Sequence, residues 1–275
     1  MRKLNKAFTI LIFIFLYIPM ILLAVASFNS GTDLAVFKDF TFRQYANLFQ
    51  DGALLRLLRN SLIIAVLSSL VATIMGTTAA VGIHNLNGRL RSAVMTMTNI
   101  PMTNPDIVTG VSLALLFAFV GHIFKNNAIL GFWTLLIAHI TFNLPYVILN
   151  VLPKLRQMDQ NTYDAALDLG CNPFTAFTKV VIPEIMPGIV SGFLMALTYS
   201  MDDFVISYFV SGASIQTLPV AIYSMTRRRV SPKINALSTI MFAVVLLVLL
   251  VYNILSSRKA KAANRSMIRA QKEEL

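Results

Sequence analysis

Six stretches of the chain run apolar for long enough to cross a bilayer: about 7–27, 61–83, 92–120 (continuous from 105), 129–152, 188–210 and 235–257. A helix rises about 1.5 Å per residue, so roughly 20 residues cover the ~30 Å of hydrocarbon. Barrel strands are short and alternate apolar with polar side chains. These runs do neither, and they predict six membrane helices. Segment 28–60 between the first two holds Phe42-Arg43-Gln44-Tyr45-Ala46-Asn47-Leu48-Phe49, an amphipathic pattern suited to the interface or to packing on other spans. The turn at 84–91 is short, and the segments 153–187 and 211–234 are long. No internal repeat is visible.

Composition supports this reading. Of 275 residues, 56% are hydrophobic and 13% charged, with a mean hydropathy of +0.70. Soluble domains carry about 25% charged residues. The formal charge of +11 comes without a basic stripe interleaved with aromatics, so it points to an anionic bilayer surface and not to nucleic acid. Arg2, Lys3 and Lys6 precede the first run, and Ala24-Val25-Ala26 imitates a leader-cleavage site. The apolar stretch of about 20 residues exceeds the roughly 7–15 of a leader core, which predicts a retained anchor. With both termini inside, fourteen Lys and Arg residues fall on the inner segments and nine on the outer ones, so a cytoplasmic-membrane protein with cytoplasmic termini is expected. The run Arg227-Arg228-Arg229 opposes that bias. Residues 1–257 form the membrane domain, and 258–275 form a basic cytoplasmic tail with the composition of a disordered end. Cys171 is the single cysteine, which excludes an intrachain disulfide and a cysteine-cluster metal site.

The inner segment 153–187 carries the most specific pattern. Asn161 or Thr162 can cap a short helix whose first turns hold Asp164 and Asp168 near the positive dipole end. Ala165 and Ala166 leave one face slim, Gly170 can take the left-handed conformation that ends a helix, and Pro173 forbids its continuation. A short helix with a small-residue face fits a groove on another protein. Asp164-Ala165-Ala166, three residues, Gly170, nine residues, then Val180-Val181-Ile182-Pro183 resembles the EAA motif of ABC importer permeases. That consensus is Glu-Ala-Ala, three residues, Gly, nine residues, Ile-x-Leu-Pro; here Asp, Val and Ile replace Glu, Ile and Leu. The resemblance implies that the segment is a coupling helix seated on a cytosolic ATPase, with Asp164, Ala165, Ala166, Gly170, Ile182 and Pro183 at the contact.

The likeness extends over nearly the whole chain. Tyr17-Ile18-Pro19, Met102-Thr103-Asn104-Pro105-Asp106-Ile107-Val108, Gly131-Phe132-Trp133, His139-Ile140-Thr141-Phe142-Asn143-Leu144-Pro145, Ser200-Met201-Asp202-Asp203 and Tyr223-Ser224-Met225 resemble the spermidine/putrescine permeases of the PotC type. The resemblance implies the all-α type I ABC importer permease fold of six transmembrane helices with a cytoplasmic coupling helix. It also implies four kinds of partner: a homologous second permease (PotB-like), a homodimeric ATPase (PotA-like), an extracytoplasmic polyamine-binding protein (PotD-like) and membrane lipid. No Gly-x-x-x-x-Gly-Lys-Ser/Thr loop is present, so no cofactor is expected on this chain; ATP and Mg would sit on the ATPase. The same machine with another cargo, such as iron or thiamine, is the nearest alternative. An ion-coupled carrier needs no docking segment, and a membrane enzyme or receptor is the remaining class.

Acids within apolar spans mark the cargo path. A carboxylate at the bilayer centre costs about 2.5–3.5 kcal/mol on insertion scales, so it faces a cavity or a partner. Asp202 and Asp203 lie in the fifth span, where helical spacing lines up Ser200, Asp203 and Ser207 as one polar stripe suited to a polycation. A structural pairing is the competing role. Asn104-Pro105-Asp106 reads as a helix start after a break at Pro101, and Asp106 can also line the path at a broken helix. His84, His122 and His139 are scattered, so no metal site is expected, and no nucleophile motif or catalytic residue emerges. Trp133 and Tyr17 read as interfacial anchors and Tyr146 as a helix-packing residue.

Overall fold

A computed structural model describes residues 2–31, 37–125, 129–227 and 232–273. Arg228 and Arg229 lie outside these residues. The chain divides into two compact units, Leu57–Ala221 and Met1–Arg56 with Ile222–Leu275. Six helices among the described residues are long and apolar enough to span a membrane.

In the smaller unit, α1 (Arg2–Ala26) and α2 (Arg43–Gln50) both pack on α12 (Pro232–Glu273). The chain between α1 and α2 is tied by its own polar atoms. Asn29 Oδ1 accepts from the amides of Gly31 and Lys38, both at 3.0 Å, and Ser27 meets the Tyr45 hydroxyl at 2.6 Å. Phe28, Phe40, Phe42 and Tyr45 gather their rings above this turn. The amphipathic stretch is thus a helix, as its pattern predicts. Asp51 accepts from the amides of Ala53 and Leu54 and pairs with Lys233 at 3.4 Å. Those amide bonds, then the lysine, hold its carboxyl below the usual range. The expected disordered tail is instead helical as far as Glu273. Its Ala, Lys, Arg and Gln residues are strong helix formers, and they extend a helix already nucleated in the span.

The larger unit is built on α3 (Gly52–His84, from residue 57), α4 (Gly88–Thr103), α5 (Asp106–Ile123), α6 (Phe132–Gln157), α7 (Gln160–Asp168), α8 (Pro173–Ala176), α9 (Ile182–Asp202) and α10 (Val205–Val210). A further helix, α11 (Leu218–Thr226), occupies part of the segment 211–234 and begins in this unit. The break before α5 falls at Asn104–Pro105, not at Pro101, which lies inside the last turn of α4. Proline disfavours the helical region for the residue before it, and Asn104 is extended with ψ 143°. Its side chain does not cap α5.

The fifth span is the largest departure from the apolar pattern. Its helical rod begins at Pro173, passes through a π turn at Phe177–Val181 and ends at Asp202; residues 205–210 form the separate α10. The expected inner loop 153–187 is correspondingly shorter, because α6 continues to Gln157 and α9 begins at Ile182.

One core joins α3, α6 and α9 through Ala72, Val147, Val151, Ile185 and Ala196; a second joins α3, α5, α6 and α10 through Ile64, Phe117, Leu135 and Ile206. Inside a membrane, close packing and interhelical hydrogen bonds replace the hydrophobic drive, so small residues let helices approach. At Gly188 a Cβ would stand 2.8 Å from the Asn150 carbonyl oxygen, and at Gly76 one would stand 2.7 Å from Val147. Asn150 adds a cross-link by accepting from Ser191 at 2.9 Å.

Gly188→Ala is therefore expected to destabilise the purified protein by about 1–3 kcal/mol through overpacking. Gly82→Ala, where nothing lies within 4 Å of the added atom, is expected to be neutral or to gain up to about 1 kcal/mol from helix propensity. Thermal unfolding in detergent separates the two, and equal midpoints would contradict this packing.

Candidate functional site

The break between α9 and α10 contains neither proline nor glycine, so another force must open the helix. Asp203 supplies it. Its backbone is extended at ψ 118°. Its carboxylate accepts from the amides of Ile206 at 3.2 Å and Ser207 at 2.7 Å. An acid that takes the first free amides of a helix satisfies donors that would otherwise be orphaned in an apolar medium.

His139 of α6 holds this break from the other side. It is 2% exposed. Its Nδ1 lies 2.6 Å from the Ser200 hydroxyl and its Nε2 lies 3.0 Å from the Ser207 hydroxyl. Asp203 Oδ2 is 3.5 Å from the same Nε2, and Ser68 of α3 closes the chain at 3.0 Å from Ser200. One imidazole thus bridges the last turn of α9 to the first turn of α10, with α3 bonded to the α9 side. Ser200, Asp203 and Ser207 do meet, but not as a stripe on one straight helix. They converge because the helix breaks between them. Sequence reading set His139 aside with the other histidines; its hydroxyl partners Ser200 and Ser207 lie 61 and 68 positions away, so no local spacing marks it.

Asp202 and Asp106 are placed differently. Both are exposed, Asp202 as the last residue of α9 and Asp106 as the first of α5. Neither carboxylate makes a hydrogen bond or an ion pair among the described residues. α5 packs on α10, with Gly110 against Ile206 and Phe209.

The predicted docking segment is a helical elbow. Asp159, two or three residues earlier than expected, caps α7 by accepting from Asn161 N at 3.0 Å. The helix it starts leaves Asp164 in the middle and Asp168 at the C-terminal end, so neither occupies the first turn. Gly170 ends α7 with φ +86°, the left-handed conformation its position predicts. The Gly170 amide donates to Leu167 O at 2.9 Å, and the Cys171 amide donates to Ala166 O at 3.1 Å. This paired closure is a Schellman motif. Pro173 then opens α8 rather than merely stopping α7, with Asn172 accepting from Thr175 N at 2.7 Å. Tyr163 packs on the core formed by Val181 and Ile185. Asp164 and Ala165 remain exposed, and Ala166 is half-buried. Ile182 is half-buried and Pro183 exposed, in the first turn of α9. Leu169 and Phe174, unmarked in the sequence reading, flank the glycine with 87% and 76% exposure. Leu169 is the most exposed large apolar side chain among the described residues.

His139→Ala removes two interhelical contacts worth about 0.6 kcal/mol each in a membrane and leaves a buried gap. It is expected to lower stability by about 2 kcal/mol, read as a fall in the thermal midpoint of the purified protein. An unchanged midpoint would contradict the bridging role.

Residues 72–268 match the family described as the binding-protein-dependent transport system inner membrane component. The spermidine/putrescine transport system permease protein PotC of Haemophilus influenzae is 40% identical over 256 residues, covering 93% of this chain and 97% of that protein. PotC of Escherichia coli K12 is 38% identical, with 94% and 96% covered. The putrescine permease PotI of the same strain is 38% identical, with 94% and 93% covered. Among solved structures, a bacterial ABC transporter that imports the acidic polysaccharide alginate aligns with a TM-score of 0.73 at 19% identity, covering 93% of this chain and 96% of that one. The MetNI methionine ABC transporter aligns at 0.58 with 16% identity, covering 76% and 95%. At these identities the structural likeness is one of fold. The chain is a multi-pass, all-α permease subunit and belongs to the inner membrane component family of binding-protein-dependent transport systems.

Proposed function

We propose that this permease forms half of an ATP-driven translocation pathway for polyamines, spermidine or putrescine, across a bacterial cytoplasmic membrane. The observation that carries the cargo is 38–40% identity over more than nine-tenths of the chain to polyamine permeases. Two exposed carboxylates in the spans, Asp106 and Asp202, have no side-chain partner among the described residues and support it, because a polycation complements such acids. Asp203, Ser200 and Ser207 serve as scaffold, since their polar atoms are already engaged with His139 and the α10 amides.

Both termini face the cytoplasm in this reading, which puts the α7 elbow on the inner side. Asp164, Ala165, Ala166 and Gly170 then meet a homodimeric ATPase that binds ATP and Mg, with Leu169 and Phe174 as apolar knobs beside them. Ile182 and Pro183 anchor the elbow to the span. A homologous second permease completes the pathway, and an extracytoplasmic binding protein delivers cargo. The elbow is continuous with the rod Pro173–Asp202, whose 30 residues extend ~45 Å at about 1.5 Å per residue. A push on the elbow by closing ATPases therefore arrives at Asp202 through one helix.

Leu169→Asp and Gly170→Val are expected to strip the ATPase from the purified complex while the permease pair stays assembled. ATPase retention in both variants would refute the docking role. Asp202→Asn, alone and with Asp106→Asn, is expected to cut ATP-dependent uptake of radiolabelled spermidine at least tenfold in proteoliposomes. Undiminished uptake in the double variant would sink the acidic path.

A further inference from the structure

Two tyrosines neighbour Asp106 and Asp202. The rings of Tyr146 and Tyr199 lie 4.3 Å apart between centroids, tilted by 32°. Phe142 backs them edge-on at 5.4 and 6.3 Å. Asp106 is within electrostatic reach of Tyr146. Tyr199 and Asp202 stand three residues apart at the end of α9 and so share a face. Taken neighbour by neighbour, the series is Asp106, Tyr146, Tyr199, Asp202. Tyr199 is 39% exposed, and neither tyrosine hydroxyl is hydrogen-bonded among the described residues.

The local field is strongly negative. Asp202 sits at the C-terminal, negative end of the α9 dipole and next to Asp203, a position that repels a carboxylate and draws a cation. Ring faces attract ammonium groups and also pack against methylenes. A linear polyamine presents that same alternation, with charged ends joined by apolar carbons. We propose that Tyr146 and Tyr199 form an aromatic bed for the cargo, with Asp106 and Asp202 holding ammonium groups at its two ends. This inference rests on the polyamine reading and adds the residues that select a long, chain-like cation over a compact one.

The test uses the full complex of both permeases and the ATPase in liposomes, supplied with saturating spermidine-loaded binding protein. Uptake of radiolabelled spermidine per assembled complex and the subunit content of the complex are read together. Tyr199→Leu and Tyr146→Leu keep apolar bulk but lose the ring; each is expected to lower uptake about tenfold in complexes that retain all their subunits. Tyr199→Phe and Tyr146→Phe keep the ring and are expected to stay within about twofold of the parent. If a leucine variant does not assemble, methionine at the same position, flexible enough to fill the gap, gives the same comparison. Leucine or methionine variants that transport within twofold of the parent overturn the aromatic bed, as do phenylalanine variants as impaired as leucine ones. A parent complex that couples ATP to another cargo but takes up no spermidine overturns the polyamine reading itself, so the two failures are distinguishable.

Discussion

A single buried imidazole, bonded on one side to Ser200 and on the other to Ser207, governs the centre of the larger unit. In an apolar medium an opened helix exposes amides and carbonyls that nothing solvates. The fifth span opens nevertheless, because Asp203 takes two of the amides and His139 ties both ends of the break to α6. The consequence is a sorting of two adjacent carboxylates. Asp203 turns inward and is consumed by its cap, while Asp202 turns outward with no partner among the described residues.

The same helix carries the other half of the mechanism. Its inner end grows out of a tightly closed elbow, where the Schellman turn at Gly170 and the Asn172 cap leave little slack between α7 and the rod. The rod leaves α geometry in a π turn at Phe177–Val181; such turns are frequent at functional sites. The close contacts of Gly188 and Gly192 with α6 keep the rod in register with the element that bears His139 and Tyr146. In the proposed function, motor docking and cargo contact are thus opposite ends of one element.

Much of this was legible in the sequence. Apolar runs of about 20 residues marked the six spans, and fixed spacing from Asp164 to Pro183 marked the elbow, because both signals are local. What escaped was set by tertiary contact. The break after Asp203 is made by a side chain competing for backbone amides, a competition that apolar periodicity does not register. His139 and the ring pair Tyr146–Tyr199 acquire meaning only when α6 meets α9. The α7 cap shifted from Asn161 or Thr162 to Asp159 because several good capping residues stand in a row, and the sequence does not rank them. The helical tail was masked by its charge, which hides a propensity that an existing helix readily extends.

The sorting of the two carboxylates is tested most directly by a structure of the assembled complex trapped with spermidine inside. Density for the cargo is predicted along Asp202, Tyr199, Tyr146 and Asp106, with His139 still bridging Ser200 and Ser207. Cargo bound to Asp203, with the histidine bridge broken and α10 uncapped, would contradict the account.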